Sequence, residues 1–266
     1  MTKRKRRVEP ENLLRGVKNP PSPTYNADFY ETGFMKWVLK MNRKLLDYYD
    51  ARLDQKICGR SLTRYVPSVD REGKGATGTK SSRYLFLDRV FEGWKLSPEE
   101  KVFDVGCGKG RVFAYLLSKG FTGEMYGVEL NPQVVTTAQS WSDKYPNVNI
   151  ACADAFTVNY NDYDVLLLGK PFEKEAFVQF TEYLERTLTH PMKVYYWGDH
   201  HSGDYLNRRP GWELQYRNWV FRHNGIHIAT SPQRYSIWIY TRLLLSEHVA
   251  LVTTCSEFIY SGILSQ

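Results

Sequence analysis

Between Val102 and Leu188 the chain switches repeatedly between two hydrophobic patterns. Short, nearly unbroken apolar runs (102–105, 125–130, 148–154 and 163–169) read as buried strands. Between them, apolar residues recur every three or four positions, the spacing of a helix with one buried face. The first helical stretch carries Val112, Phe113, Leu116 and Leu117 and stops at Gly120. The second opens on Asn131-Pro132, an N-cap followed by proline at the first helical position, and continues through Val134, Val135, Ala138, Trp141 and Tyr145. The third, Glu173 to His190, buries Phe177, Phe180, Tyr183, Leu184 and Leu188 and ends at Pro191. Lys193 to Gly198 is a fifth strand. Beyond it the pattern turns antiparallel: Leu214–Arg222, a tight turn at Asn224-Gly225, Ile226–Thr230, then a closing strand from Arg234 to Leu243. Strands alternating with helices predict an α/β fold with a mostly parallel sheet, here with an antiparallel edge.

Upstream of the first strand, Phe34, Trp37, Val38, Met41, Leu45, Tyr48, Tyr49 and Leu53 follow helical spacing over Asp28–Cys58, with Gly59 as the stop. A shorter helix carries Tyr84, Leu87 and Phe91 and ends at Gly93. The chain therefore divides into a disordered basic tail (1–27), an N-terminal helical cap with a polar loop at 70–82 that could fold over a cleft as a lid (28–95), an α/β core (96–245), and an extension, 246–266, with no place in that plan. Tyr84 and Lys80 are candidate members of the lid.

Composition narrows the class. Hydrophobic residues make up 42% of the 266, enough for a sizeable core. The four cysteines (Cys58, Cys107, Cys152, Cys255) are scattered without a C-x-x-C, which argues against a disulfide scaffold or a zinc site and for a reducing compartment. No apolar run reaches the roughly 20 residues that span a bilayer, and no secretory h-region follows the basic start, so a cytoplasmic, intracellular protein is expected. The net charge of +7 is uneven. Lys3 to Arg7 is wholly basic, and residues 205–242 hold six arginines against one acid, Glu213. A nucleic-acid partner could use that tail and the Arg- and aromatic-rich lobe, with Trp212, Trp219 and Trp238 as stacking surfaces.

The candidate chemistry lies at the strand ends. Asp104 precedes Gly106-Cys107-Gly108-Lys109-Gly110, which reads as strand, glycine turn, helix. Glycines allow a sharp turn and let a ligand lie against the backbone. The spacing is G-x-G-x-G. A dinucleotide fingerprint would need glycine at 111, where Arg111 stands, so a nucleoside-sized ligand fits better than one with a pyrophosphate. Glu129-Leu130 ends the second strand about 20 residues past the glycines, where such folds grip ribose hydroxyls. Asp154-Ala155-Phe156 ends the third and could take an exocyclic amine and cover a purine face. Lys170-Pro171-Phe172 ends the fourth, and Asp199-His200-His201 follows the fifth. His200 could accept a proton near neutral pH. Asp104 is expected to shape the glycine turn through backbone hydrogen bonds, and Cys107 to be a small filler.

These motifs, from about residue 80 to 245, resemble class I S-adenosylmethionine-dependent methyltransferases. Asp-Val-Gly-Cys-Gly-Lys-Gly-Arg111 after a Gly/Thr/Ser-rich loop is similar to the bacterial branch akin to Dot-type histone methyltransferases, although Lys170 replaces the asparagine that branch often carries before Pro-Phe. The resemblance implies a Rossmann-like methyltransferase fold with a seven-stranded sheet and S-adenosyl-L-methionine as cofactor. The cofactor would be held by Asp104, Gly106, Cys107, Gly108, Gly110, Glu129, Leu130, Asp154, Ala155 and Phe156. Lys170, Pro171, Phe172 and His200 are the candidates beside the reacting methyl. No metal is expected. The missing double-proline amine motif favours a protein side chain or small molecule as acceptor over RNA or DNA. A non-catalytic subunit that keeps the fold and binds RNA or a partner is the rival reading.

Overall fold

The computed structural model describes residues 32–68, 78–92, 96–199, 204–223, 226–229 and 231–242. The basic tail, most of the 70–82 loop, Gly93, His200, His201, Asn224-Gly225 and the 246–266 extension lie outside these residues.

The apolar runs form the strands β1 (Val102–Val105), β2 (Met125–Glu129), β3 (Val148–Cys152), β4 (Val165–Leu168) and β5 (Met192–Trp197). Past them come β6 (Trp212–Val220), the short pair β7 (Arg222–His223) and β8 (Ile226–His227), and β9 (Gln233–Tyr240). Seven strands make one sheet in the order β3-β2-β1-β4-β5-β9-β6. The first five run parallel, and β9 is antiparallel to both β5 and β6. The one reversed strand therefore lies inside the edge strand β6. The expected hairpin shrinks to two residue pairs, Arg222–His227 and His223–Ile226, and β6 pairs over its length with β9 instead. Nine residues of β6 bury far more against β9 than a two-residue ribbon could hold.

Among the described residues, five α-helices accompany the sheet: α1 (Gly33–Cys58), α2 (Tyr84–Val90), α3 (Arg111–Ser118), α4 (Pro132–Ser142) and α5 (Lys174–Thr187). Their ends follow the sequence signals. Asn131 accepts from the Gln133 N–H as the N-cap of α4, and Gly59 ends α1 in the left-handed region at φ 70°. Alternate residues of β4 feed opposite cores: Val165 and Leu167 pack with α1, α3 and α4, and Leu166 and Leu168 with α5 and the aromatic cluster Tyr160–Phe172–Phe180. Burial on both faces is what a central parallel strand requires.

The helix α1 departs from expectation. Phe34, Trp37, Met41, Leu45, Tyr48 and Tyr49 are exposed, and the buried residues are Met35, Leu46, Asp50, Asp54, Ile57 and Cys58. The cap is joined to the core by charge. Arg111, the first residue of α3, donates to both carboxylate oxygens of Asp54 (Nε–Oδ1 3.0 Å, Nη2–Oδ2 2.6 Å), lies 3.7 Å from Asp50 and sits over the Tyr84 ring. Asp54 also accepts from the Leu62 N–H and the Tyr84 hydroxyl. Asp50 accepts from Arg83 and the Tyr84 N–H. A bidentate pair with every lone pair used is the form in which buried charges can be tolerated. Tyr84 thus serves this joint and is no part of a lid.

Candidate functional site

A cleft of about 920 Å³ opens at the carboxyl ends of β1, β2, β3, β4 and β5, where ligands of open α/β sheets bind. Its floor is the turn between β1 and α3. Gly106, Gly108 and Gly110 all have positive φ (69°, 57° and 78°), a conformation that costs L side chains strain. They are close-packed for different reasons. A Cβ on Gly106 would stand 2.8 Å from the Pro171 Cβ, and one on Gly108 would meet the Thr79 methyl at 2.7 Å. Gly110 does not reach the cleft; it lies under Trp141, 2.8 Å from where its Cβ would be, and the Trp141 Nε1 donates to the Lys109 carbonyl at 2.9 Å. Gly110 therefore serves helix–sheet packing.

The other residues singled out by the sequence, Asp104, Gly106, Cys107, Gly108, Glu129, Leu130, Asp154, Ala155, Phe156, Lys170, Pro171 and Phe172, come together as walls of this one cleft. Asp104 is buried, and its Oδ2 has no hydrogen-bond partner, so that oxygen does not brace the glycine turn as expected. Burial pushes its carboxyl well above the usual range, and the nearby Glu129 adds to the rise. Burial also raises Glu129, against the pull of the N–H groups of Asn131, Leu130 and Gly108 and the Thr79 hydroxyl. Asp154 caps a short turn by accepting from the Phe156 N–H at 3.0 Å. The Phe156 ring packs against Phe172 and Phe180. Cys107 is buried, its thiol pushed well up by burial, and its side chain stands 2.8 Å from the Cβ position of Gly127. That is a filler's environment, and the thiol is unreactive there.

Four cations, Lys80, Lys109, Arg111 and Lys170, line the cleft, and two of them are engaged elsewhere. Lys109 donates to the Arg64 carbonyl, and burial pulls its ammonium down to about 8; Arg111 is held by Asp54. Around a bare main-chain bend the cleft thus presents a buried carboxylate with an unmet oxygen, Asp104, and a half-buried one, Glu129. This donor and acceptor set fits a ligand that brings positive charge and hydroxyl donors, as a sulfonium amino acid joined to a nucleoside does.

Some wall residues carried no sequence signal strong enough to single them out. Thr79 is pinned by a two-way backbone bridge to Val66 (2.8 and 3.0 Å) and reaches Glu129 at 3.5 Å. Trp197, at the end of β5, donates to the Ser82 hydroxyl at 3.0 Å and lies so close to Gly169 that a Cβ there would touch its indole at 2.9 Å; its place at the ligand edge of a strand was the available clue. Asp199, expected at that edge, is fully buried and turned the other way, holding Arg234 and Ser236 of β9. Lys170 is the one non-glycine residue at positive φ (52°) among the described residues.

The C-terminal lobe also spends its charge internally. Arg217 and Arg234 are buried around Asp199 and Asp204, Arg209 pairs with Glu185, and Arg222 donates to His227. Trp238 is buried and Trp212 donates to Glu185. These residues close the sheet, leaving few of the expected arginines to face an anionic partner.

Residues 102–190 match the family described as "Methyltransferase domain". Together with the sheet order and the glycine cleft, this match supports a class I S-adenosylmethionine-dependent methyltransferase fold for the core, the class whose cofactor is S-adenosyl-L-methionine. Among curated proteins, the chain is similar to the "Probable ribosomal RNA small subunit methyltransferase A" of Methanosarcina acetivorans, 25% identical over 107 residues, 39% of each chain. That of Methanosarcina barkeri is 26% identical over 121 residues, 44% of this chain and 40% of the relative. The chain thus spans about two-fifths of the length of these curated relatives. A solved structure with partial likeness is an RNA methyltransferase from Salinibacter ruber in complex with S-adenosyl-L-homocysteine (16% identity, 60% of this chain, 94% of the other, TM-score 0.43). Among the described residues, no helix is long and apolar enough to cross a membrane.

Proposed function

We propose that this chain transfers a methyl group from S-adenosyl-L-methionine to an acceptor that approaches from the Lys170-Pro171-Phe172 and Trp197 side of the cleft. One observation carries the reading: at the floor of a glycine turn Asp104 is buried and Glu129 half-buried, and neither forms an ion pair among the described residues. In this assignment the main chain at Gly106 and Gly108 faces the amino-acid end, and Asp104 meets the positive charge. Glu129 accepts from the ribose hydroxyls, and Ala155 and Phe156 cover the base, with Asp154 holding their turn. When bound, the cofactor supplies an activated methyl; the carbon–sulfur bond breaks as the acceptor bond forms, sulfur keeps the electron pair, and the acceptor's proton goes to solvent or a base. The protein contributes alignment and exclusion of water.

The acceptor in this reading is a small molecule or a protein side chain. An RNA acceptor is a second reading, favoured by the names of the curated relatives. The test is a calorimetric titration with S-adenosylmethionine and S-adenosylhomocysteine, followed by methyl-labelled cofactor in cell extract split into nuclease-treated, protease-treated and low-mass fractions. Binding with label entering one fraction is the expected result. Binding without label in any fraction would mean a non-catalytic subunit, and no binding would overturn the proposal.

A further inference from the structure

A second cavity, of about 1110 Å³, adjoins the cofactor cleft. Lys80, Ser81, Ser82, Gly169, Lys170 and Trp197 line both, so the two chambers share one wall. That wall is tightly built. The Trp197 indole is held by Ser82 and packed on Gly169. Lys170 keeps its strained backbone between Pro171, which touches the glycine turn, and Gly198, whose Cβ position lies 3.2 Å from the Lys170 Cβ. Strain of this kind persists where the surroundings impose it, most often at functional sites.

The two chambers differ in their acids. The cofactor side holds Asp104, Glu129 and Asp154 beside its cations Lys80, Lys109, Arg111 and Lys170. The described lining of the second chamber contains no carboxylate and carries Arg43, Lys80, Arg83 and Lys170. Arg83 is neutralised by Asp47 and Asp50. His227 accepts from Arg222, and burial lowers its pKa, so it adds a neutral polar edge. Leu46, Phe86, Trp197 and Ile228 supply apolar walls. Cations set beside apolar surface select an anion with an apolar body. A nucleic acid would instead seek a run of exposed arginines and lysines along its backbone.

We infer that this second chamber is the acceptor site, and that it takes a small molecule bearing a carboxylate or phosphate on an apolar, planar body. The inference rests on the methyltransferase reading above. Lys170 and Lys80 would hold the anionic group beside the shared wall, with Arg43 guarding the mouth from α1.

The test uses the full chain saturated with S-adenosylhomocysteine and probes it with benzoate, phenyl phosphate, neutral benzamide and a short single-stranded RNA, followed by calorimetry and by line broadening of the probe resonances. The account expects benzoate or phenyl phosphate to bind about tenfold more tightly than benzamide, and the stronger of the two identifies the preferred anion. Arg43→Glu, at the chamber's far side from the cofactor, should lower that affinity about tenfold while S-adenosylhomocysteine affinity stays as in the wild type. Equal binding of benzamide and the aryl anions, no aryl binding by protein that still holds S-adenosylhomocysteine, or tighter RNA binding that displaces the aryl anions would overturn the inference. Loss of S-adenosylhomocysteine binding itself would instead strike the methyltransferase reading.

Discussion

Two pairs of carboxylates lie wholly or partly buried in this molecule, and their surroundings are opposite. At the joint between cap and core, Asp50 and Asp54 face Arg111 and Arg83 at hydrogen-bond distance and accept from N–H and hydroxyl donors as well. Burial still raises the Asp50 carboxyl, but Arg111, the Tyr84 N–H and Arg83 pull against it. At the cleft floor, Asp104 is buried and Glu129 half-buried, neither forms an ion pair among the described residues, and Asp104 keeps one oxygen unmet. A buried charge completed by the protein contributes to the fold; one left incomplete costs stability and marks where a complementary ligand is expected. Similar residues thus perform opposite tasks, decided by what was placed within a few ångströms.

The comparison breaks first, and most visibly, at the joint. Asp54→Ala leaves the Arg111 guanidinium buried and unpaired, so about 3–5 kcal/mol of stability should be lost, read as a lowered urea midpoint. Asp104→Asn should do the reverse: the variant unfolds at an unchanged or higher midpoint and loses cofactor affinity. If both substitutions destabilise alike, the two pairs are not different in kind.

Next in size, Glu129→Gln removes the charge that accepts from donors at the second strand end. A hydrogen bond to a charged group is worth about 1.5–3 kcal/mol, so calorimetry should find S-adenosylmethionine bound roughly ten- to a hundredfold more weakly, with the unfolding midpoint little changed.

The pH dependence sharpens the contrast. The native state raises the Asp104 and Glu129 carboxyls above their unfolded values. From the unfolded carboxylate range, about pH 4, up to those raised values, the native state binds more protons than the unfolded chain, so free-protein stability falls as pH rises through that window. A cationic ligand favours the ionised forms, so its stabilising effect must grow over the same window. Melting temperatures with and without S-adenosylmethionine should diverge as pH increases; a constant gap would contradict the assignment. Smallest of all, Cys107→Ala removes a filler. Cofactor affinity should change by no more than about threefold, and the wild-type thiol should react slowly with alkylating reagents.

Much of this was readable from one dimension. The glycine turn, the five parallel strands and the acids at their ends follow from local patterns, because strand periodicity and main-chain turns are set by neighbours in sequence. What failed was long range. Arg111 read only as a departure from a dinucleotide fingerprint, because its partner Asp54 lies 57 positions earlier. The stripe Phe34–Trp37–Met41–Leu45–Tyr48 has helical spacing, yet the buried face of α1 is set by Asp50 and Asp54, and periodicity does not report which face carries the ion pairs. The arginines of 205–242 suggested an anionic partner; Arg217, Arg234 and Arg209 instead meet Asp199 and Glu185 across the sheet. Asp104 was assigned to the turn because a strand-end acid usually braces its own loop, and only burial reveals the oxygen without a partner.

The most direct test is a calorimetric titration of the protein with S-adenosylmethionine at mildly acidic pH, repeated in buffers of different ionisation heat. Raised carboxyls that meet a cation must release protons, so the account predicts saturable binding whose apparent heat shifts with the buffer in the direction of proton release, and loss of that shift in Asp104→Asn. Absence of binding, or binding with heat independent of the buffer, would contradict it.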